Sequence, residues 1–346
     1  MADAIDTQNA GIHFYTKNLI EALLEIDKKN RYSFIHSREH SFFQNKEHYI
    51  LPKLSGLGSE TIRRSLRIPR LIRKINPDVV IEPCHIGPFN IPRRIKRVVT
   101  IHDITPIIFP HFHTTRGHLV HKLLLKRSLS NADLILTPSE TTKKDILSRY
   151  KVKRDPEVTP LGIEAPKSNK ATPLDSPYIL YLGTLEPRKN LQILVKAFKN
   201  LQLPHHKLVL AGPIGWKSEE LLAEIANNPK IIQTNYLTPE QKAAHLQNAD
   251  IFIYPSIYEG FGLPPMEALS YGTPIITSTG GSLGELFSEH ALTFNPEDQS
   301  TLEKHITTLL TSPSLRTKLS KKGQEYSKEF RWINTAARTL KAIQSL

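Results

Sequence analysis

The stretch IFIYPSIYEGFGLPPMEALSYGTPIITSTGGSLGEL, residues 251–286, decides the reading of the fold. It opens on Ile251–Tyr254, a short apolar run that suits a buried strand. The loop Pro255–Leu263 follows, and Pro264 and Pro265 stand where a helix would begin. Proline suits a first turn because its missing N–H would have no partner there. The N–H groups around Gly262 and Leu263 should then point outward with the positive end of the helix dipole, an arrangement that binds phosphate. Gly260 and Gly262 let a ligand come close to the main chain. Glu267 is expected in the first helical turn, where its carboxylate can accept hydrogen bonds from vicinal hydroxyls such as those of a ribose. Glu259, in the loop, faces the sugar end on this reading. A simple loop-to-helix turn would explain one acid, but hardly two acids, two glycines and two prolines in register.

Outward from this stretch, short apolar runs alternate with longer amphipathic ones. Expected strands are Asp78–Glu82, Arg97–Ile101, Asp133–Thr137, Glu157–Thr159, Tyr178–Leu182, Lys207–Ala211, Ile231–Asn235, Asp250–Tyr254, Thr273–Thr277 and Ala291–Phe294. Between them, Arg188–Leu201 carries Leu191, Leu194, Val195 and Phe198 on one helical stripe. Such alternation predicts α/β architecture with doubly wound, Rossmann-like parallel sheets. At 346 residues the chain accommodates two domains. Pro166–Pro177 (PKSNKATPLDSP) is polar, lacks an apolar period and reads as a linker. The expected division is therefore 1–165, a linker over 166–177, a second domain over 178–330 and a final helix over 331–346. Since ligands of such sheets bind at the carboxyl ends of strands, two sheets facing one another across a cleft would form the site.

Composition narrows the function. One cysteine, Cys84, excludes an internal disulfide framework and a cysteine-rich zinc site. The net charge of +13 is concentrated in residues 1–150, where 24 Lys and Arg face 14 Asp and Glu, suggesting an anionic partner. No run approaches a membrane span, and Met1–Asp6 is too short and acidic for a signal peptide. A cytoplasmic protein is expected. Neither G-x-G-x-x-G after a strand nor G-x-x-x-x-G-K-[ST] occurs, which disfavours dehydrogenases and P-loop enzymes. H-E-x-x-H and a metal-holding D-x-D pair are absent too. His111, His113, His118 and His121 cluster, but read better as a solvated loop and helix start than as metal ligands.

At this point the residues meet a family. The spacing of Glu259 and Glu267 resembles the E-x7-E motif of retaining GT-B glycosyltransferases of family 4, the group 1 glycosyl transferases. YLGTLEPRKNLQILVKAF (181–198) resembles that family's first strand–loop–helix of the nucleotide-binding domain, and TIHDITPIIFP (100–110) its His-Asp turn. GIHFYTKNLIEAL (11–23) is similar to its N-terminal glycine loop and first helix, and FRWINTAARTLKAI (330–343) to its last helix, which crosses back to the first domain. The resemblance implies that Glu267 binds ribose and that Glu259, Gly260, Phe261, Gly262 and Leu263 hold the donor sugar and phosphate. It also implies that Lys189 holds the diphosphate beside Gly183, that His102 touches the donor sugar and that Gly11 approaches the donor.

Two departures bear on these assignments. Thr184 follows Gly183 where relatives carry arginine, so Arg188 is expected to supply that charge; His13 replaces the second N-terminal glycine, after a very short strand, Ala4–Asp6. The resemblance implies transfer of a hexose from a nucleotide-diphosphate sugar to a glycan or lipid-linked acceptor, with retention and without a metal or other cofactor. It leans toward a mannosyltransferase-like role in polysaccharide assembly. It favours same-face attack over a double displacement, for which Glu259 would be the first nucleophile to suspect. Alternatives are a sugar phosphorylase or nucleotide-sugar epimerase on the same fold, and a basic nucleic-acid-binding protein. The last is disfavoured because the basic run Arg63–Lys74 holds no aromatic residue. That run, with Arg63, Arg64, Arg67, Arg70, Arg73 and Lys74, reads either as a surface helix kinked at Pro69 or as a patch for anionic lipid at the inner membrane face.

Overall fold

A computed structural model describes residues 1–7, 11–53, 62–164 and 172–346. They fall into two units, Met1–Gly162 with Trp332–Leu346, and Ile163–Arg331. Of the expected linker, residues 166–171 lie outside the described residues, as do residues 8–10 of the N-terminal loop.

In the first unit, β1 (Phe34–His36) pairs in parallel with β2 (His48–Ile50). A second parallel sheet runs in the order β3 (Val79–Glu82), β4 (Lys96–Thr100), β5 (Leu134–Thr137), β6 (Glu157–Val158). Alternate residues of its strands face opposite layers. Val99 and Ile135 pack with Leu125, Leu129 and Ile146 of the helices Thr115–Asn131 and Glu140–Arg149. Val98, Leu134 and Leu136 pack instead with Ala342 and Ile343 of the helix Trp332–Gln344. The final helix therefore completes the core of the first unit. Its start also meets helix Gly11–Ile26, where Tyr15 and Trp332 lie 6.1 Å apart between ring centroids.

Three expectations for this unit are corrected. Ala4–Asp6 is no strand: Asp3–Thr7 is helical, and Ala2 donates its N–H to Ile35 O instead. The basic segment read as a surface helix kinked at Pro69 begins as a π-helical turn, Arg63–Arg67, and continues as the α-helix Ile68–Ile75 with Pro69 in its first turn. The wider turn leads the chain into the proline. Arg63 points inward, fully buried, and grips Asp3 through two hydrogen bonds of 2.7 Å while donating to Leu51 O. Arg64 is also engaged, donating to Ile86 O. The outward cations are Arg70, Arg73 and Lys74.

The second unit has one parallel six-stranded sheet. Its strands are β7 (Tyr178–Leu182), β8 (Lys207–Ala211), β9 (Ile231–Thr234), β10 (Ile251–Tyr254), β11 (Ile275–Ser278) and β12 (Leu292–Phe294), in the spatial order β12-β11-β10-β7-β8-β9. The order reverses between β7 and β10, which makes the carboxyl ends of those two strands the switch point where ligands of doubly wound sheets bind. Almost every residue of β7, β8, β10 and β11 is buried, as continuous apolar strands between two helical layers must be. The helix expected over Arg188–Leu201 starts later, at Leu191. Pro187–Lys189 forms a separate 3-10 turn, and Asn190 in the left-handed conformation divides the two.

Candidate functional site

Both loops at the switch point deliver charge to one place. After β7, the turn Pro187–Lys189 carries two successive cations, and after β10 the loop to helix Leu263–Ser270 carries Glu259. Glu259 Oε1 accepts from Lys189 Nζ at 2.6 Å and lies 3.0 Å from Arg188 Nη1. Lys189 also donates to the Tyr254 hydroxyl, at the end of β10, at 2.7 Å. Arg188 is held further by Glu186 Oε1 and Tyr258 O, each at 2.8 Å. Glu259 and Lys189 are 8% and 7% exposed, so neither is the surface charge that a lone lysine in a polar segment would suggest.

This network fixes protonation states. Burial alone would raise the Glu259 pKa, but Arg188 and then Lys189 outweigh it and hold the carboxyl below its ordinary value. Burial lowers the Lys189 pKa, against the pull of Glu259. Burial and the neighbouring carboxylates keep the Tyr254 hydroxyl protonated.

The main chain around Glu259 is equally constrained. Its carbonyl accepts from both the N–H and the hydroxyl of Ser282, at 2.9 and 3.0 Å. Gly281 lies alongside at φ +63°, where a Cβ would come within 2.4 Å of that carbonyl oxygen. Gly262, at φ +94°, turns the chain into helix Leu263–Ser270; a Cβ there would meet Leu283 at 2.7 Å. Among the described residues, the N–H groups of Phe261, Gly262 and Leu263 have no hydrogen-bond partner. Three free donors at a helix start, beside two cations, form an anion-binding cradle.

Glu267 is the fifth residue of that helix, in its second turn rather than the first. It meets Lys242 of helix Pro239–Asn248, whose Nζ donates to Oε1 at 2.7 Å. Burial opposes the lysine's charge, yet the carboxylate more than offsets it and raises the Lys242 pKa. Gly183 closes β7, its N–H bonded to Ala211 O. Thus Gly183, Arg188, Lys189, Glu259, Gly260, Phe261, Gly262, Leu263 and Glu267 all lie on the β7 and β10 connections of one unit. Sequence reasoning missed Glu186, Tyr254 and Lys242. Glu186 sits two residues before Arg188, and the pairing of such neighbours was a signal at hand; Lys242 stands in no motif.

His102 and Gly11 belong to the first unit. Gly11 starts its helix in open space, with nothing within 4 Å of an added Cβ. His102 follows β4 and packs edge-on against Tyr15, 4.6 Å between centroids. Its main-chain N–H donates to His85 Nε2 at 3.1 Å, and its own Nε2–H donates to Pro83 O at 2.9 Å. Donor accounting leaves His102 Nδ1 as a lone-pair acceptor. Burial lowers its pKa, so the ring stays neutral. His85 Nδ1 reaches His121 Nε2 at 3.4 Å, and its pKa is pushed down to about 3, by burial first and then by His102. His118 bonds Pro106 O, and no group of metal-holding residues exists among the described residues.

Comparison with known proteins adds the context. The model described as glycosyl transferases group 1 matches residues 163–326, and that described as glycosyltransferase family 4 matches residues 10–165. The O-antigen chain mannosyltransferase B of Escherichia coli is 31% identical over 280 residues, which are 75% of this chain and 74% of that protein. Sucrose-phosphate synthase from Thermosynechococcus elongatus superposes with a TM-score of 0.75 at 21% identity, over 97% of this chain and 93% of its own. Anabaena HepE, solved in complex with UDP and glucose, superposes with a TM-score of 0.77 at 14% identity, over 98% and 97%.

Proposed function

The chain belongs to the group 1 glycosyl transferases, an α/β enzyme family of the GT-B fold, and on that premise we propose that it transfers a hexose from a nucleotide-diphosphate sugar, with retention and without a metal ion. The acceptor on this reading is a glycan or lipid-linked glycan in bacterial-type polysaccharide assembly, at a membrane face, and mannose is the sugar favoured by the O-antigen mannosyltransferase relative. The observation that carries the proposal is the meeting of Arg188, Lys189 and Glu259 beside the free amides of Phe261, Gly262 and Leu263.

In this scheme the diphosphate lies on those amides, and Arg188 and Lys189 stabilise its charge as it departs. Preorganised donors in a site of this kind need no reorganisation at the moment of reaction. The bond from the anomeric carbon to the phosphate oxygen breaks as the acceptor oxygen attacks from the same face, and the acceptor proton passes to the departing phosphate. Glu259, engaged by two cations, is a poor nucleophile; it holds them in place and faces the transferred sugar. Glu267 takes the ribose hydroxyls, and His102 Nδ1 accepts from a sugar hydroxyl.

A thermal-shift panel of nucleoside diphosphates and nucleotide sugars tests the donor assignment, since a ligand that binds only the folded chain raises its stability with concentration. At least one nucleotide should raise the melting temperature of the wild type, and Glu267→Ala should lose most of the shift. A panel without effect on the wild type would overturn the proposal.

A further inference from the structure

The parallel ladder between β3 and β4 ends with the pair Glu82↔Val99, yet it resumes three residues later at His85. In a parallel pair, a residue donates its N–H to one carbonyl of the neighbouring strand and accepts, through its own carbonyl, from the N–H two residues further on. His85 donates its N–H to Thr100 O at 3.0 Å. The matching acceptance, from the N–H of His102, is made by the His85 side chain: Nε2 takes that hydrogen at 3.1 Å. An imidazole thus stands where a main-chain carbonyl would. The exchange goes with an unusual backbone, φ +53° at His85, where the Ile86 N–H closes a three-residue turn on Cys84 O. A turn of that hand is rare and strained, so the side-chain contact it secures calls for a reason.

The accepting state of that ring is set from outside. Gly117 O can only accept, so in the neutral ring His121 Nδ1, 3.0 Å away, carries the hydrogen and His121 Nε2 a lone pair. His85 Nδ1, 3.4 Å from that lone pair, is the donor, which leaves His85 Nε2 without a hydrogen and able to accept from His102. Pro83 O fixes the third ring in the same way: His102 Nε2 donates to it, and His102 Nδ1 keeps its lone pair. The Thr142 hydroxyl donates to His102 O at 3.4 Å, so the N–H and the carbonyl of His102 are both engaged.

We propose that His85 is a positioning residue for sugar transfer: its imidazole, held in one tautomer by His121 and Gly117 O, fixes the main chain at His102 and so aims the His102 lone pair at the donor sugar. This rests on the reading of His102 as a ligand of that sugar. Without the His85 ring, the His102 N–H loses its acceptor and the chain leaving β4 loses a rung. A metal shared by the three rings does not fit, because two of the lone pairs it would need are already taken, His121 Nε2 by His85 and His85 Nε2 by His102.

Spectra of the full chain labelled with ¹⁵N-histidine, assigned through His85→Gln and His102→Ala, read the tautomers without any ligand. Protons are expected on His85 Nδ1 and His102 Nε2; a proton on His85 Nε2 would overturn the proposal whatever the activity. Transfer from guanosine, uridine and adenosine diphosphate hexoses to an oligomannoside measures the consequence, with nucleoside diphosphate binding read by calorimetry. His85→Leu should lower kcat by about ten- to a hundredfold, the scale of a reacting group held slightly out of place. The nucleoside diphosphate should bind it as it binds the wild type, since the amide cradle lies in the second unit. His85→Gln, whose Oε1 can accept in place of Nε2, should recover most of the lost rate. Both variants keep a side chain at φ +53°, so backbone strain cancels between them. Equal losses in the two, or full activity in His85→Leu, would overturn the proposal, while a damaged His102→Ala would leave the sugar reading standing. A wild type that transfers no hexose, or a His102→Ala chain at full rate, would instead remove that reading and the proposal with it.

Discussion

Replacing Glu259 with alanine should do more than slow turnover. It removes the acceptor from Lys189 Nζ at 2.6 Å and from Arg188 Nη1 at 3.0 Å, both largely out of water. Arg188 keeps Glu186 at 2.8 Å, but Lys189 keeps only the neutral Tyr254 hydroxyl. Taking one partner from a buried ion pair costs about 3–5 kcal/mol, a large part of the roughly 5–15 kcal/mol that holds a typical domain folded. The lysine can soften the loss by shedding its proton, since burial already lowers its pKa. The unfolded chain then binds more protons than the folded one, so the variant's stability should climb with pH toward the lysine's ordinary range. Urea denaturation followed through Trp216, with Trp332→Phe so that the signal reports the second unit, measures the deficit. A nucleoside diphosphate supplies the missing negative charge and should stabilise the variant more than the wild type. A deficit at neutral pH below about 1 kcal/mol, the scale of an exposed pair, would refute the reasoning, as would a nucleotide that stabilises both proteins equally.

Glu267→Gln should weaken nucleoside diphosphate binding by about 1.5–3 kcal/mol, the range for hydrogen bonds to a charged group, when read by calorimetry. Lys242→Met, which frees the carboxylate from its anchor, should weaken it less, and both losses should disappear for a 2′,3′-dideoxy nucleotide; persistence there would place Glu267 away from the ribose. In the first unit, burial raises the Glu82 pKa to about 7, although Arg64 opposes the shift. Folding therefore keeps a proton that the unfolded chain releases above its ordinary carboxyl pKa, and stability falls as pH climbs from there to about 7. Glu82→Gln should accordingly be more stable than the wild type by about 3 kcal/mol above that window and equal to it in acid. A pH-independent difference in urea melts would contradict this.

The second unit was readable in advance because its strands are buried on both faces. Runs such as Ile251–Tyr254 and Tyr178–Leu182 are uninterrupted, and Gly183 and Pro255, which end them, mark the loops that carry the candidate site. The first unit hid more. β1 and β2 are three residues each, and their histidines break the apolar signal; His36 is nonetheless buried, bonded to Asp6 and His48. Arg63 could not be recognised as a core residue because its partner, Asp3, lies 60 positions away on a helix that read as a strand. Lys242 escaped for the same reason: its meeting with Glu267 depends on how two helices pack, which no local pattern records.

The central claim, metal-free transfer with retention by the Arg188–Lys189–Glu259 site, is tested most directly by one experiment. The chain is incubated with α-linked guanosine, uridine and adenosine diphosphate hexoses and an oligomannoside acceptor, in excess EDTA, and the product's anomeric configuration is read by NMR. The account predicts an α-linked product, formed at the same rate with and without the chelator and lost in Lys189→Ala. A β-linked product, or transfer that stops in EDTA and returns with a divalent ion, would contradict it.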